Sequence, residues 1–179
     1  GRSMQRLSGH DDTVNQLCFA PSGRLLFSGC EDGSISVWPV PLVDSPNANT
    51  TDPVAAIHKL QKHDSGVLAL AISPLGDWLI SGDSKGSVVF WDLGSESMSR
   101  SFSMAGHRRA VSEIQFATLP DVVSAGMKVS KLATAGTDGN VIVWQLSNDG
   151  PEQLDEFQDH DGSINDLVWN TDGTTLVTA

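Results

Sequence analysis

Along this chain the apolar positions come in short alternating runs, four times over, each introduced by a histidine. After His10 they fall at Val14, Leu17 and Phe19; after His63 at Val67, Leu70 and Ile72; after His107 at Val111, Ile114 and Phe116; after His160 at Ile164, Leu167 and Trp169. The last two of each set lie two residues apart, the period of a strand whose side chains alternate between faces, and not that of a helix. A Pro/Ser/Gly or Thr/Asp/Gly turn follows, then a second apolar run at 25–27, 78–80, 132–133 and 176–177. In the first three copies another turn leads to a β-branched run that ends in Trp38, Trp91 or Trp144. The pattern predicts short antiparallel strands joined by tight turns, with nothing helical beyond about one turn.

The copies superpose in spacing as well as in polarity. His10 to Gly23, His63 to Gly76 and His160 to Gly173 each span 13 residues, and the interval from His to Trp is 28 residues in the first two copies and nine longer in the third. Self-similarity at this period means that one supersecondary unit is stacked on its neighbours, since a single unit cannot bury its own apolar face. Units that open near Gly-His, as at Gly9-His10 and Gly106-His107, and close near Trp-Asp, as at Trp91-Asp92, resemble the WD40 repeat family. Trp38-Pro39 and Trp144-Gln145 depart from the literal dipeptide. The resemblance implies an all-β fold of WD40-like β-propeller blades, each of four antiparallel strands, in one segment over 1–179. The repeats fall at about 9–60, 61–104, 105–157 and a truncated 158–179, about three and a half blades of an incomplete ring. With an outer strand near Met4 to Leu7, about fifteen strands are expected, too few for a seven-bladed ring.

The resemblance also implies a role for the recurring polar residues. In such blades the head His, a Ser or Thr of the second strand, an Asp of the following turn and the Trp of the third strand form a buried hydrogen-bonded chain, which fixes the blade where no water reaches. The matching positions are His10, Ser28, Asp32 and Trp38 in the first copy and His107, Thr134, Asp138 and Trp144 in the third. The second offers His63, Ser81 and Trp91 but places Lys85 where the Asp belongs; Asp83, two residues earlier, would substitute only if the turn were redrawn, so the network is expected to be weaker and more exposed, and His160 heads the fourth. One His per blade around a ring stays far from its counterparts, so no metal site is expected. Trp169 is expected in the core, while Trp78, outside the shared Trp position, is expected to be partly exposed.

Charge narrows the partners. Lys and Arg number 11 against 22 acidic residues, a net charge of −11, which argues against a nucleic-acid binder because such a protein needs a basic face to displace counterions. Basic or mixed-charge peptides and proteins are favoured instead. No apolar run approaches the roughly 18 residues of a membrane helix, so no membrane partner is expected. Two isolated cysteines, Cys18 and Cys30, suit an intracellular setting, cytoplasmic or nuclear. There is no Gly-rich phosphate loop and no framed nucleophile, hence no cofactor and no enzyme chemistry to expect.

Two surfaces stand out as docking candidates. Residues after each His and before each turn Asp would line the channel rim: Asp11, Asp12, Glu31, Asp64, Arg108, Arg109, Thr137 and Asp161. The opposite side would carry two segments that break the spacing, 39–54 and 118–130, the second with apolar Val122, Val123 and Met127. The function expected is a non-enzymatic scaffold for protein–protein or protein–peptide interactions within a multiprotein complex. The alternatives are a regulatory WD40 region of a larger nucleotide-binding or ubiquitin-ligase type protein and, third, an enzyme using the propeller channel. The ring would be completed by the rest of a longer chain or by a homodimer.

Overall fold

The computed structural model describes residues 6–40, 53–95, 98–117 and 130–179. Among them there are fourteen strands and no α-helix, so no helix long and apolar enough to cross a membrane. The first four-stranded antiparallel sheet runs β1 (Val14–Phe19), β2 (Leu25–Cys30), β3 (Ser34–Pro39) and β4 (His58–Gln61). The second runs β5 (Val67–Ile72), β6 (Trp78–Asp83), β7 (Ser87–Asp92) and β8 (Ser101–Ala105), and the third β9 (Val111–Phe116), β10 (Ser130–Gly136), β11 (Val141–Ser147) and β12 (Gly150–Phe157). The chain ends in a two-stranded sheet, β13 (Leu167–Trp169) with β14 (Leu176–Thr178). In each sheet the strands are ordered as in the sequence, as tight turns between antiparallel neighbours require.

Register repeats with the sequence. Trp38 pairs with Leu26, Trp91 with Leu79 and Trp144 with Leu132, and the pairing of the first strand with the second shifts near the start of the first strand in all three sheets. Gly33, Gly86 and Gly139 close the turn between second and third strands with φ of 81°, 92° and 81°, a left-handed conformation that only Gly adopts without strain. Their missing side chains matter a second time. A Cβ on Gly33 would lie 2.6 Å from the backbone oxygen of His63, and one on Gly139 2.5 Å from that of His160. Gly86 meets the oxygen of His107 in the same way. Each turn is thus wedged under the histidine loop of the next sheet.

The sheets stack face to face as an arc that stays open, with β1 against β5, β5 against β9 and β9 against β13 along its inner side. Three apolar layers lie between them. Phe27, Ile35 and Val37 meet Val67, Leu70, Leu79, Val89 and Trp91; Trp78, Ile80, Val88 and Phe90 meet Val111, Ile114, Leu132, Ile142 and Trp144; Ala133, Ala135, Val141 and Val143 meet Ile164 and Leu167. Since the second sheet is covered on both faces, β6 is buried along its whole length. The first sheet is covered on one. Val14 and Leu17 are 40% and 57% exposed, whereas the residues at the same positions of the second sheet, Val67 and Leu70, are 0% and 6%.

Two sequence expectations are corrected, for Trp78 and Trp169. Trp78 is buried, because the wall between the second and third sheets extends to the outer strands and Phe102 packs on its ring at 6.1 Å. The outer strand expected near Met4 to Leu7 lies partly outside the described residues; within them Leu7 forms a parallel bridge to Val54. Trp169 is half-buried: it packs on the third layer, donates its indole N–H to the Gln115 carbonyl at 3.2 Å and lies under Lys131 Nζ.

Candidate functional site

Polar chains inside the sheets account for the histidines. In the second sheet Trp91 Nε1 donates to Ser81 Oγ at 2.8 Å, Ser81 Oγ meets His63 Nε2 at 2.7 Å, and His63 Nδ1 meets Asp83 Oδ2 at 2.9 Å. The third sheet repeats this: Trp144 Nε1 to Thr134 Oγ1 at 3.0 Å, Thr134 Oγ1 to His107 Nε2 at 2.9 Å, His107 Nδ1 to Asp138 Oδ1 at 3.2 Å. One arrangement of protons satisfies every member. The indole donates to the hydroxyl, the hydroxyl donates to an unprotonated Nε2, and Nδ1–H donates to the carboxylate. Burial lowers the pKa of both His63 and His107, and on that ground the imidazoles are assigned as neutral.

The weak network expected for the second sheet is not found there. Asp83, at the end of β6 and two residues before Lys85, reaches back to His63; its other oxygen caps the turn by accepting from the amides of Lys85 and Ser87 at 2.9 Å. A carboxylate on the strand end does the work of one in the turn, so Lys85 is free to face solvent.

The first sheet has the looser network instead. Trp38 Nε1 donates to Ser28 Oγ at 2.7 Å and Ser28 meets His10 Nε2 at 2.5 Å, but Asp32 turns away to the Ser34 amide (2.9 Å), the Ser34 hydroxyl and Lys59 Nζ (3.2 Å). The Ser34 hydroxyl, with the Ser34 amide, holds the Asp32 carboxyl far below its usual range against the opposing push of burial. His160, in the exposed last sheet, keeps the single contact to Thr178 Oγ1 at 2.7 Å.

Burial is the first cause that lowers the pKa of His10, His63 and His107; Asp83 and Asp138 pull the latter two upward without reversing it. In Asp138 burial pushes upward, but the amides of Arg108 and Asn140 and then the His107 imidazole outweigh it, leaving the carboxyl low. The sign for stability follows. A histidine whose folded pKa lies below its unfolded value of about 6.5 stabilises fully above that pH, and the contribution falls as acid protonates the unfolded chain first. The midpoint of urea unfolding is expected to drop between pH 7.5 and 5.5, and to drop less in a His63→Gln variant. A flat or rising midpoint over that interval would refute the neutral assignment.

With His63 and His107 held inside, the groups free to act lie on the rim. Asp11, Asp12, Glu31, Asp64, Arg108, Arg109 and Asp161 are exposed and Thr137 is half-buried. They do not form one patch. Glu31 accepts from Asn15 Nδ2 at 2.8 Å and its carboxylate lies against Gly66, filling the gap between the first two sheets. Arg108, Arg109, Thr137 and Asp161 line a cleft of about 390 Å³ between the third and last sheets, with Asp138, Gly162 and Ser163. The side chains of Arg108, Arg109 and Asp161 make no hydrogen bond or ion pair among the described residues. Val122, Val123 and Met127 lie outside the described residues. Among those described, no three His, Cys, Asp or Glu side chains gather as metal ligands.

Sequence reasoning missed several residues that join sheets. Asn15 Nδ2 donates to the Val67 carbonyl at 3.1 Å and Ser112 Oγ to that of Ile164 at 2.5 Å, the same tie at two interfaces, each from the fifth residue after a head His. The polar residue recurring at that spacing was the available signal. Glu113 on β9 has its pKa raised by burial first and by Asp166, against the Ile114 amide.

The model of the family described as "WD domain, G-beta repeat" matches residues 1–39, 55–92 and 151–179, more than half of the chain. It passes over 93–150, where the third sheet nevertheless carries the His107–Thr134–Trp144 chain of contacts. The CCR4-associated factor 4 homolog of Candida glabrata is 30% identical over 147 residues, 78% of this chain and 25% of that protein. The U3 small nucleolar RNA-interacting protein 2 of Homo sapiens is 32% identical over 110 residues, 62% of this chain and 23% of that one. The solved "Structure of U3-55K" superposes with a TM-score of 0.69 at 25% identity, over 90% of this chain and 44% of that one. The chain thus spans a quarter or less of these two relatives.

Proposed function

Because the chain belongs to the WD40 repeat family, we propose that it is a non-enzymatic scaffold that gathers proteins or short peptides within an intracellular multiprotein complex. One observation carries the reading. The side chains best suited to chemistry, His63 and His107 with their carboxylates, are consumed in structural chains, while the unpaired charges stand on the rim. A rigid frame with charged loops is what recognition of a partner's charge pattern requires.

Most rim groups are acidic, so a partner of basic or mixed charge is the better match. One relative is by name RNA-interacting. On this chain the described rim offers one adjacent basic pair, Arg108–Arg109, too little cationic surface to neutralise a run of phosphates, so protein partners are favoured. Both cysteines are free thiols, which suits a reducing compartment.

The test is affinity capture from cells with the tagged protein, comparing wild type with a variant carrying Asp11→Asn, Asp12→Asn and Asp64→Asn. These residues are exposed, so the thermal midpoint is expected to hold while specific partners fall several-fold in mass spectrometry. Recovery of no partner above an untagged control would sink the scaffold reading, and unchanged partners would move the site away from the acidic rim.

A further inference from the structure

The gaps between sheets on the rim side repeat in backbone but not in side chain. At the first gap the chain supplies its own carboxylate. Glu31, the residue before the turn Asp32-Gly33, lays its carboxylate against Gly66, where a Cβ would lie 2.6 Å from Oε2, and takes the Asn15 amide. Asp11 and Asp12 follow the head histidine of that sheet.

At the gap between the third and last sheets each of these features is inverted. Thr137 stands where Glu31 does, before Asp138-Gly139, and is too short to cross. Ser163 stands where Gly66 does and ties its hydroxyl to the Thr137 carbonyl at 3.3 Å. Arg108 and Arg109 replace the Asp pair, and a Cβ on Gly162 would meet nothing within 4 Å. The result is an open cleft of about 390 Å³ with two guanidinium groups at its edge. Asp138, the near carboxylate, keeps its charge but is held against His107 and the amides of Arg108 (2.7 Å) and Asn140 (3.2 Å), and it forms no ion pair with either guanidinium among the described residues.

We propose that the cleft between Arg108–Arg109 and Asp161–Ser163 receives the acidic side chain of a mixed-charge partner peptide, supplying from outside the carboxylate that Glu31 supplies at the first gap. Paired arginines suit a carboxylate because their planar donors bind both of its oxygens. Asp161, across the cleft, selects a basic residue next to the acidic one. The net charge of −11 does not prevent this. At physiological ionic strength charges beyond about 8 Å are largely screened, so the cleft's own groups, Arg108 and Arg109 on one side and Asp161 on the other, decide what binds and in which orientation. The proposal rests on the scaffold reading but concerns a different part of the rim from Asp11, Asp12 and Asp64.

The probe is a fluorescent, end-capped peptide Gly-Ser-Glu-Glu-Lys-Ser-Gly, titrated against the whole chain by anisotropy, with Gln replacing both Glu residues as its control. Wild type is expected to bind the Glu peptide at least about tenfold more tightly than the Gln peptide, and less tightly as salt rises. An R108A/R109A variant should lose that preference. Thr137→Glu, which offers the cleft a carboxylate from within, should lose it too with an unchanged or higher thermal midpoint, so that loss of binding is not loss of fold. Equal binding of both peptides, absence of saturable binding, or an unaltered preference in folded Thr137→Glu protein would overturn the proposal. If peptide binding fails while cellular partners are still captured, only this cleft is lost and the scaffold reading stands.

Discussion

Replacing Gly86 with Ala is expected to cost about 2–4 kcal/mol, a larger penalty than one methyl group ordinarily carries. At φ of 92° an L-residue is strained by about 1–2 kcal/mol. The added Cβ would meet the backbone oxygen of His107 and come within 2.6 Å of that of Arg109. Neither carbonyl can swing aside as a side chain would, because both belong to the loop that leads into β9, and overpacking of this kind costs about 1–3 kcal/mol. For a chain of this size each kcal/mol lowers the melting temperature by about 2–4 °C. Gly23→Ala is the control: its φ of 67° is also left-handed, but nothing lies within 4 Å of the new Cβ. If thermal unfolding shows equal losses in the two variants, the wedge of each turn under the next histidine loop does not bear on stability.

Trp144→Ala is expected to cost about 3–5 kcal/mol, the range for removing a fully buried large aromatic. Trp144 does two things at once. Its N–H completes the chain through Thr134 to His107, and its ring meets Phe90 of the second sheet edge-on at 5.3 Å between centroids. Trp144→Phe separates the roles, keeping most of the ring but leaving the Thr134 hydroxyl without its donor, at a cost of about 1–3 kcal/mol. Urea midpoints of the two variants give the partition. A Phe variant as damaged as the Ala variant would place the energy in the polar chain; one as stable as wild type would place it in ring packing alone.

The fold was legible because stacking leaves a periodic trace. The two-residue alternation after each His, the Gly turns and the terminal Trp each correspond to a strand or a turn at the same register in three sheets. The polar chains were legible where the motif sits at fixed spacing, as for Thr134 and Trp144, and misread where two positions satisfy one geometry. Asp83 reaches His63 from the strand end because a carboxylate needs only to arrive within hydrogen-bonding distance of Nδ1, whichever backbone position carries it. Trp78 was misjudged because its burial depends on Phe102 of the outer strand β8, distant in sequence. The rim residues could be named from the loops but not grouped. Whether a gap is filled, as by Glu31, or left open, as at Thr137, depends on side-chain length across two sheets, and no single copy contains that information.

Coverage of the second sheet on both faces has a cost for opening it. β6 reaches solvent only if the apolar layers against the first and third sheets are breached together. Its residues therefore open as one cooperative unit or not at all.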